Sequence, residues 1–269
     1  HTLVCVSLDQ TVRLWDCRDG QCLKTWYGHT DWALPVAFSP IPPSPLTKGG
    51  AGGILASGSN DKTVKLWDYQ TGNCIRTLHG HSDFIYGLAF SLDGQILASA
   101  STDSSIRLWN VSTGQCFQIL QGHTDWVYAV AFHPDGNILA SGSADCTVKL
   151  WQIRTGQCLK TLTGHTDKIM GICFSLDGLL ASASADQTVR LWDLNKGNCL
   201  RILHGHQNRV YAAVFSPDGQ TLASCSTDQT VKLWDWRAGE CLKTLTGHTN
   251  WVFSVAFSPD GQTLASASH

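Results

Sequence analysis

Apolar residues along the chain fall into short runs separated by turn-forming residues, and the same order of runs returns repeatedly. Residues 156–193, GQCLKTLTGHTDKIMGICFSLDGLLASASADQTVRLWD, contain four such runs and no apolar spacing of helical period. Short runs bounded by Gly, Asp, Ser and Thr are typical of strands. The pattern predicts four strands in each unit and an all-β fold.

The runs differ in polarity, which predicts where each strand lies in its sheet. The run WVYAVAF at 126–132 is apolar almost throughout, as in a strand that is buried on both faces. The run CLKTL at 158–162 includes a lysine and predicts an outer, half-exposed strand. The turn SPDG at 216–219 places proline where φ must be negative and glycine where positive φ is expected.

A repeat of about 42 residues organises the whole chain. Six tryptophans mark it, at intervals of 52, 42, 42, 41 and 42 residues: Trp15, Trp67, Trp109, Trp151, Trp192 and Trp234. The long first interval holds SPIPPSPLTKGGAGG at 39–53, which we interpret as a flexible Pro/Gly-rich surface loop inserted between two strands. A sheet with two apolar faces cannot bury both alone, and a radial array of sheets solves that problem.

Two dipeptides recur in register with the tryptophans. A Gly-His pair precedes the most apolar run of each unit, for example Gly164-His165, and four of the tryptophans are followed by aspartate, as in Trp192-Asp193. Trp109-Asn110 and Trp151-Gln152 depart from that ending. Together these residues resemble the WD-repeat β-propeller family over the whole chain. The regularity of the units also resembles bacterial arrays of this family, particularly those of cyanobacteria.

The resemblance predicts a single β-propeller domain at residues 1–269, built of four-stranded antiparallel blades. Strand counting gives three strands at the N-terminus, four in each of five units and two at the C-terminus. We therefore favour seven blades, cropped at both ends. The alternative is six blades, in which residues 251–268 pair with the strands at 11–26 and the first strand is displaced.

The resemblance also implies a structural role for the histidines. In the family, each joins a buried hydrogen-bond network with a strand serine, a turn aspartate and the tryptophan. The implied sets are His29, Ser57, Asp61 and Trp67; His81, Ser99, Asp103 and Trp109; His123, Ser141, Asp145 and Trp151; His165, Ser182, Asp186 and Trp192; and His206, Ser224, Asp228 and Trp234. His248 and Ser266 form a partial set, and Asp9 and Trp15 another, with Cys5 in place of serine.

These sets argue against an enzyme. Ser, His and Asp are the elements of a nucleophilic triad, but catalysis needs one exposed site and not five buried copies. The eleven cysteines include no CxxC pair and no nearby Cys/His cluster, so we expect no metal and no cofactor. We interpret the six cysteines of the GQCLKTL-like segments as buried small hydrophobes in a reducing, cytoplasmic compartment.

Charge excludes further classes of partner. The formal net charge is −2, with no lysine or arginine cluster, which argues against nucleic acid and anionic membranes. No apolar run approaches the roughly 20 residues that span a bilayer. Since the chain begins at His1 without methionine, we expect it to be part of a longer protein with other domains.

Variable residues inside this regular pattern are the candidate binding residues. Two positions near the start of each innermost strand vary, and in the family both lie at the mouth of the central channel. We call the following the mouth residues: Trp32, Phe84, Tyr86, Trp126, Tyr128, Lys168, Met170, Arg209, Tyr211, Trp251 and Phe253. Large aromatics and arginine dominate binding hot spots.

We therefore predict a noncatalytic protein-interaction scaffold or ligand sensor, part of a larger bacterial signalling protein, that binds a protein or peptide through the mouth residues. The alternative is a lectin that stacks sugars on the same aromatic rings. Aromatics that only plug the channel are a third interpretation. No GxxxxGK[ST] loop occurs, so nucleotide chemistry would lie outside this chain.

Overall fold

The computed structural model describes residues 2–40 and 53–268, and it confirms the all-β prediction. Twenty-five strands form antiparallel sheets in which strands that follow one another along the chain pair with one another. The chain divides into two compact units, residues 1–127 and 128–269, and each is described by itself. The single-domain prediction stays a prediction. Of the loop predicted at 39–53, residues 41–52 lie outside the described residues.

The first unit holds a three-stranded sheet followed by two four-stranded sheets. The first sheet consists of β1 (Thr2–Val6), β2 (Val12–Asp16) and β3 (Cys22–Trp26). The second consists of β4 (Ala33–Phe38), β5 (Ile54–Ser59), β6 (Val64–Asp68) and β7 (Cys74–Leu78). The third consists of β8 (Ile85–Phe90), β9 (Ile96–Ser101), β10 (Ser105–Asn110) and β11 (Cys116–Gln121).

The second unit begins inside β12 and holds three four-stranded sheets and one of two strands. The fourth sheet of the chain has β12 (Val127–Phe132), β13 (Ile138–Ser143), β14 (Val148–Gln152) and β15 (Cys158–Leu162). The fifth has β16 (Ile169–Phe174), β17 (Leu180–Ser184), β18 (Val189–Asp193) and β19 (Asn198–Leu203). The sixth has β20 (Val210–Phe215), β21 (Leu222–Ser226), β22 (Val231–Asp235) and β23 (Glu240–Leu245), and the last pairs β24 (Val252–Phe257) with β25 (Leu264–Ser268).

In the four-stranded sheets the most buried strand is the second. The apolar runs predicted that the first strand would be buried on both faces, and that prediction is corrected. Every residue of β5 and β17 is buried, whereas β12, from the run WVYAVAF, alternates between buried and half-buried residues. The first strand is an edge of its sheet, and the second is covered on both sides by paired strands. The fourth strand is largely exposed, as β15 shows, and that prediction is confirmed.

Neighbouring sheets pack through a match of small and large residues. A Cβ added to Gly58 of β5 would lie 2.6 Å from Ile85 Cγ2, and one added to Gly142 of β13 would lie 2.5 Å from Ile169 Cγ2. In the fifth sheet Ala183 occupies the position that Gly142 has in the fourth. Val210, the first residue of β20, corresponds to Ile169, the first residue of β16, and belongs to the same core cluster as Ala183. Glycine thus meets isoleucine, and alanine meets valine.

The glycines of four Gly-His pairs, Gly28, Gly80, Gly164 and Gly205, are required by their backbone conformation and by a neighbouring tryptophan. Gly28 has φ of +154°, and a Cβ there would approach the Trp67 ring to 3.1 Å. A side chain would therefore strain the backbone and press on the tryptophan. Gly219 of the SPDG turn has φ of +67°, as predicted.

The six repeated cysteines are not buried, so that interpretation is wrong. Five of them lie on the fourth strand of a four-stranded sheet, and Cys22 lies on the third strand of the three-stranded first sheet. On these outer strands Cys22, Cys74, Cys158 and Cys241 are exposed, and Cys116 and Cys199 are half-buried. All six are free thiols. Burial raises the pKa of the Cys173 thiol and of the Cys225 thiol to about 12.

Two further sequence features have clear structural outcomes. Pro35 lies in β4, where the register shifts between Ala33 and Val36, so the missing N–H falls at an irregularity of the ladder. Among the described residues, no helix is long and apolar enough to cross a membrane.

Candidate interaction face

In each complete histidine set the hydrogen bonds form a chain in which every group donates to the next, from tryptophan through serine and histidine to aspartate. In the second sheet, Trp67 Nε1 donates to Ser57 Oγ at 2.7 Å, and Ser57 Oγ lies 2.8 Å from His29 Nε2. His29 Nδ1 lies 2.8 Å from Asp61 Oδ2. The carboxylate can only accept, so Nδ1 carries the proton, and Nε2 accepts from the serine hydroxyl. All four polar side chains are thereby satisfied.

Four of the five predicted sets have this arrangement of hydrogen bonds. The distances from histidine to aspartate and from histidine to serine are 2.7–2.8 Å at His81, His165 and His206. Of the set of His123, Trp151 Nε1 donates to Ser141 Oγ at 2.7 Å. Because His123 lies in the first unit and Asp145 in the second, the rest of that set stays a prediction.

The terminal sheets keep parts of the network. His248 Nε2 lies 2.7 Å from Ser266 Oγ on the exposed last sheet. In the first sheet Trp15 Nε1 approaches Cys5 Sγ at 2.9 Å, so the thiol takes the place of the expected hydroxyl as acceptor. Asp9 accepts from the Thr11 hydroxyl at 2.6 Å and pairs with Arg13.

Hydrogen bonding holds the turn aspartates ionised although they are partly buried. Burial opposes the charge of Asp61, but hydrogen bonds from His29, Thr63 and the Thr30 amide outweigh it and keep the pKa well below its usual range. The same balance lowers the pKa of Asp228 to about 2, while burial lowers the pKa of His206 despite its carboxylate partner. His206 is therefore neutral near pH 7, consistent with the direction of the chain.

These histidine sets have no access to a substrate. The side chains of His29 and His165 are fully buried, and those of His81 and His206 are 1% exposed. A general base must reach the proton it removes. Within residues 2–40 and 53–268, no group of three or more His, Cys, Asp or Glu side chains could hold a metal ion.

The turn after each aspartate contains a residue in the left-handed region that is not glycine. These residues are Gln10, Lys62, Ser104, Cys146, Gln187 and Gln229, with φ between 65° and 74°. The preceding aspartate stabilises the turn: Asp61 Oδ1 accepts from the Thr63 amide at 2.9 Å and from its hydroxyl at 2.6 Å. Sequence reasoning missed these positions because their residue types carry no common signal.

Several mouth residues are exposed aromatics held by a capped backbone. Trp32, Trp126 and Trp251 are 48%, 43% and 51% exposed. The side chain before each accepts from its backbone amide; Asp31 Oδ1 lies 2.7 Å from Trp32 N, and Asn250 Oδ1 lies 2.8 Å from Trp251 N. The same cap precedes Trp126, Lys168 and Arg209. The side-chain oxygens at these positions orient the backbone of the loop.

Within the second unit, mouth residues from two adjacent sheets surround one cavity. It measures about 290 Å³ and is lined by Asn208, Arg209, Tyr211, Thr227 and Trp251. The Tyr211 and Phe253 rings meet edge to face with centroids 4.7 Å apart, and Trp251 and Phe253 do so at 6.1 Å. Burial raises the pKa of Tyr211, and the nearby Arg209 charge partly opposes this. We call this cavity the Arg209 pocket.

A β-bulge places the second mouth residue in these strands. Pairing of β20 with β21 shifts between Val210 and Ala212, so Tyr211 has no partner of its own in the ladder. The same shift occurs at Tyr86, Met170 and Phe253. Bulges re-aim a side chain. The regular alternation of side chains between the two faces of a strand therefore does not explain why Arg209 and Tyr211 line one pocket. No residue type in the sequence signals the bulge.

The remaining mouth residues are less exposed. Phe84, Tyr86, Met170 and Phe253 are half-buried, and Tyr128 is only 9% exposed. Lys168 is exposed at the start of β16. In the first unit, Asn60 lies behind Trp32, its amide N donating to Trp32 O at 2.9 Å. Partner binding by the mouth residues remains a prediction.

Comparison with known proteins identifies the repeat. The model of the family described as "WD domain, G-beta repeat" matches residues 20–68, 72–110, 114–152, 156–193, 197–235 and 239–269. A nuclear distribution protein PAC1 of Gibberella zeae is 41% identical over 97 residues, which are 35% of this chain and 20% of that protein. Nuclear distribution protein nudF 2 of Aspergillus clavatus is 40% identical over 81 residues, 29% of this chain and 16% of that protein.

These matches correct two expectations. The family model finds six repeats, the number of the alternative and not the favoured seven. Each repeat starts before the fourth strand of one sheet, so the count of repeats differs from the count of sheets. The six-blade alternative also predicted that the first strand would be displaced from its sheet, but β1 pairs with β2. The relatives named are fungal, which gives the predicted bacterial origin no support.

The matched repeats cover most of the chain, and their outlines coincide with the strands. The aligned segments span about a fifth of the length of the curated relatives. Four-stranded antiparallel sheets, Gly-His loops and buried Trp-Ser-His-Asp chains are all present. The chain belongs to the WD-repeat family of β-propeller proteins, a family of the protein-interaction scaffold type.

Proposed function

We propose that this chain is a noncatalytic interaction scaffold that binds a peptide segment of a partner protein in the Arg209 pocket. The observation that carries the proposal is the pocket itself. Two exposed side chains of hot-spot type, Arg209 and Trp251, stand beside the half-buried Tyr211 around a cavity of about 290 Å³. Arginine, tyrosine and tryptophan are the residue types that dominate binding energy at interfaces.

The chemistry of the pocket favours one kind of segment. The Trp251 ring is half exposed and offers an apolar face to an aliphatic or aromatic side chain. The exposed Arg209 guanidinium can hold a carboxylate through two parallel hydrogen bonds. We therefore propose a partner segment that carries an aliphatic or aromatic anchor next to an aspartate or glutamate.

Free thiols fit the cytoplasmic part of the prediction. The six repeated cysteines are free thiols on the outer strands of their sheets, and four of them are exposed. Exposed thiols persist where glutathione and thioredoxin keep them reduced. A reducing compartment is therefore part of the proposal.

The experiment is a peptide selection followed by a variant test. A displayed library of random peptides is selected against the chain, and enriched peptides are measured by fluorescence anisotropy. We expect enrichment of acidic peptides with an apolar anchor. Trp251→Ala and Arg209→Ala should each weaken binding by at least about thirtyfold, since hot-spot truncations cost about 2 kcal/mol or more.

The matched control is Tyr27→Ala, which removes an aromatic that is 76% exposed and does not line the pocket. It should leave binding unchanged. Equal binding by wild type and Trp251→Ala would refute the proposal. Unfolding of Trp251→Ala, seen by circular dichroism, would make Trp251 a structural plug. Binding to a glycan array that Trp251→Ala abolishes would favour the carbohydrate alternative instead.

A further inference from the structure

A second cavity of the second unit lies at the other end of the same sheets. It measures about 350 Å³ and is formed where the first strands β16, β20 and β24 end and turn into their second strands. The Arg209 pocket lies where the first strands begin. The first and last residues of a strand lie at opposite ends of its sheet, so the two cavities open at opposite ends of these sheets. We call the second one the turn groove.

The turn groove is apolar. The last residue of each of these first strands is a phenylalanine that lines the groove. Side chains of the following turns form its rim. The phenylalanines are Phe174, Phe215 and Phe257, and the rim residues are Leu176, Pro217 and Pro259. Leu176 is 72% exposed, among the highest values for large hydrophobic side chains in this chain. An exposed apolar cavity of this kind marks an interaction site.

Acidic side chains lie on the turns that form the rim of the groove. Each of the three turns carries an exposed aspartate directly after its rim residue: Asp177, Asp218 and Asp260. Asp260 Oδ1 accepts from Ser258 Oγ at 2.5 Å and from the Gln262 amide at 3.0 Å, which lowers the pKa of Asp260. Equivalent bonds from Ser216 and Gln220 lower the pKa of Asp218. The lowered pKa values leave Asp218 and Asp260 ionised near pH 7.

Arg237 lies near this rim, and its side chain contacts other residues of the fold. Arg237 Nη1 donates to Gln220 Oε1 at 3.2 Å, and its guanidinium lies 4.2 Å from the centre of the Trp236 ring. Its charge contributes to the lowered pKa of Asp218. Asp218 is thus partly compensated, and the acidic character of the rim rests on Asp177 and Asp260.

We propose that the turn groove is a second interaction surface, which binds a segment with a leucine or phenylalanine flanked by lysine or arginine. The apolar cavity accepts the central side chain, and the aspartates attract the flanking cations by charge complementarity. This proposal does not depend on the Arg209 pocket, whose predicted ligand has the opposite charge. One chain would thereby hold an acidic segment at one end of its sheets and a basic segment at the other.

The test uses three short fluorescein-labelled peptides of one design. The first has a central Leu-Phe pair flanked by lysines, the second has glutamates in place of the lysines, and the third has serines in place of Leu-Phe. We expect the first to bind, with an affinity that falls as salt screens the rim charges. Binding by the glutamate peptide at equal strength would overturn the proposal, as would absence of binding by the lysine peptide.

A pair of identical turns supplies the matched variants. The sequence FSLDG occurs at 174–178, in the groove, and at 90–94, which does not line it. Leu176→Ala should weaken binding of the lysine peptide about tenfold, the scale of an interface hot spot. Asp177→Asn should weaken it less and reduce its salt dependence. Leu92→Ala and Asp93→Asn should change neither, and equal losses at 92 and 176 would place the binding elsewhere.

Trp251→Ala separates the two proposals. It should leave binding of the lysine peptide unchanged and abolish binding of the acidic peptides selected on the Arg209 pocket. Loss of both would show one shared site, or unfolding that circular dichroism detects. Either result would overturn the inference of a second surface.

Discussion

Every complete histidine set needs its imidazole neutral and its aspartate charged. At His206, Nδ1 lies 2.8 Å from Asp228 Oδ2 and Nε2 lies 2.8 Å from Ser224 Oγ. A protonated ring has two donors and no acceptor, so it could no longer receive the serine hydroxyl. Acid would therefore break the chain at the serine before it reached the carboxylate.

The folded state should lose stability in acid in two steps. The folded pKa of His206 is lowered, so protons bind the unfolded state more tightly, and stability falls as pH drops below about 6.5. The folded pKa of Asp228 is about 2, so its contribution is complete above the unfolded value of about 3.9 and is lost as pH falls towards 2. Urea unfolding across this range measures both steps.

The matched variant is Asp228→Asn, which keeps the shape of the side chain but cannot ionise. Its stability should change less than that of wild type below about pH 4, because one of the shifted carboxyl groups is gone. A free energy of unfolding that stays constant from neutral pH to about pH 4 would contradict the first step. An unchanged acid slope in the variant would contradict the second.

Residue types with a family motif could be predicted, and residues defined by backbone geometry could not. The positions of His29, Ser57 and Asp61 follow from the resemblance, and in the structure His29 lies 2.8 Å from both partners. The left-handed turn residue is lysine, serine, cysteine or glutamine, so its identity carries no signal for positive φ. The repeated cysteines misled because composition alone favours burial, whereas their strand is the exposed edge of each sheet.

The strands themselves followed from the apolar runs, but their burial depended on pairing. Four runs per unit became four strands, as β16 to β19 show. The run with the most apolar residues became an edge strand, and the small residues of LASAS became the fully buried one. Small side chains are selected where sheets approach closely, a constraint that hydrophobicity does not express.

Replacing Gly142 with alanine should destabilise the fold, and replacing Ile169 with alanine should relieve part of the effect, because alanine lacks the Cγ2 methyl that the new Cβ would meet. A Cβ at 142 would lie 2.5 Å from Ile169 Cγ2, an overpacking that costs about 1–3 kcal/mol of unfolding free energy. Ile169→Ala alone should cost about 2–5 kcal/mol by leaving a cavity. In the double variant the new Cβ enters the space that Cγ2 has left, so the loss should be smaller than the sum of the two single losses.

Urea melts of the four proteins provide a double-mutant cycle. Strictly additive losses would show that the two side chains do not share the same space. Gly58→Ala with Ile85→Ala offers an independent repetition in the first unit, where the approach to Ile85 Cγ2 is 2.6 Å. Agreement of the two cycles would establish the size match as a general property of the sheets.

At the scale of the whole molecule, stability should be graded between sheets. Repeat proteins gain stability from the interfaces between neighbouring units. The last sheet has two strands, and the second of them, β25, is half-buried to exposed. Internal sheets have four strands and a buried second strand. The sequence predicted this order of strands but left the number of repeats between six and seven.

Hydrogen exchange can measure the gradient on one pentapeptide in two places. The sequence LASAS forms β17 at Leu180–Ser184, where every residue is buried, and β25 at Leu264–Ser268. Intrinsic exchange within the two copies is therefore closely similar. We expect the amides of β25 to exchange at least about tenfold faster, since they open without global unfolding. Equal protection factors would show that the last sheet is as stable as an internal one.

The sequence unit and the sheet are out of step by one strand. The first family match, 20–68, begins before β3 of one sheet and ends with β6 of the next. In genetic terms, a tandem duplication of one unit, wherever its breakpoints fall, adds one complete four-stranded sheet and leaves no strand without a partner. Near-identical units also favour such unequal recombination. A gene built this way can change length one sheet at a time, and each product still has every internal strand paired.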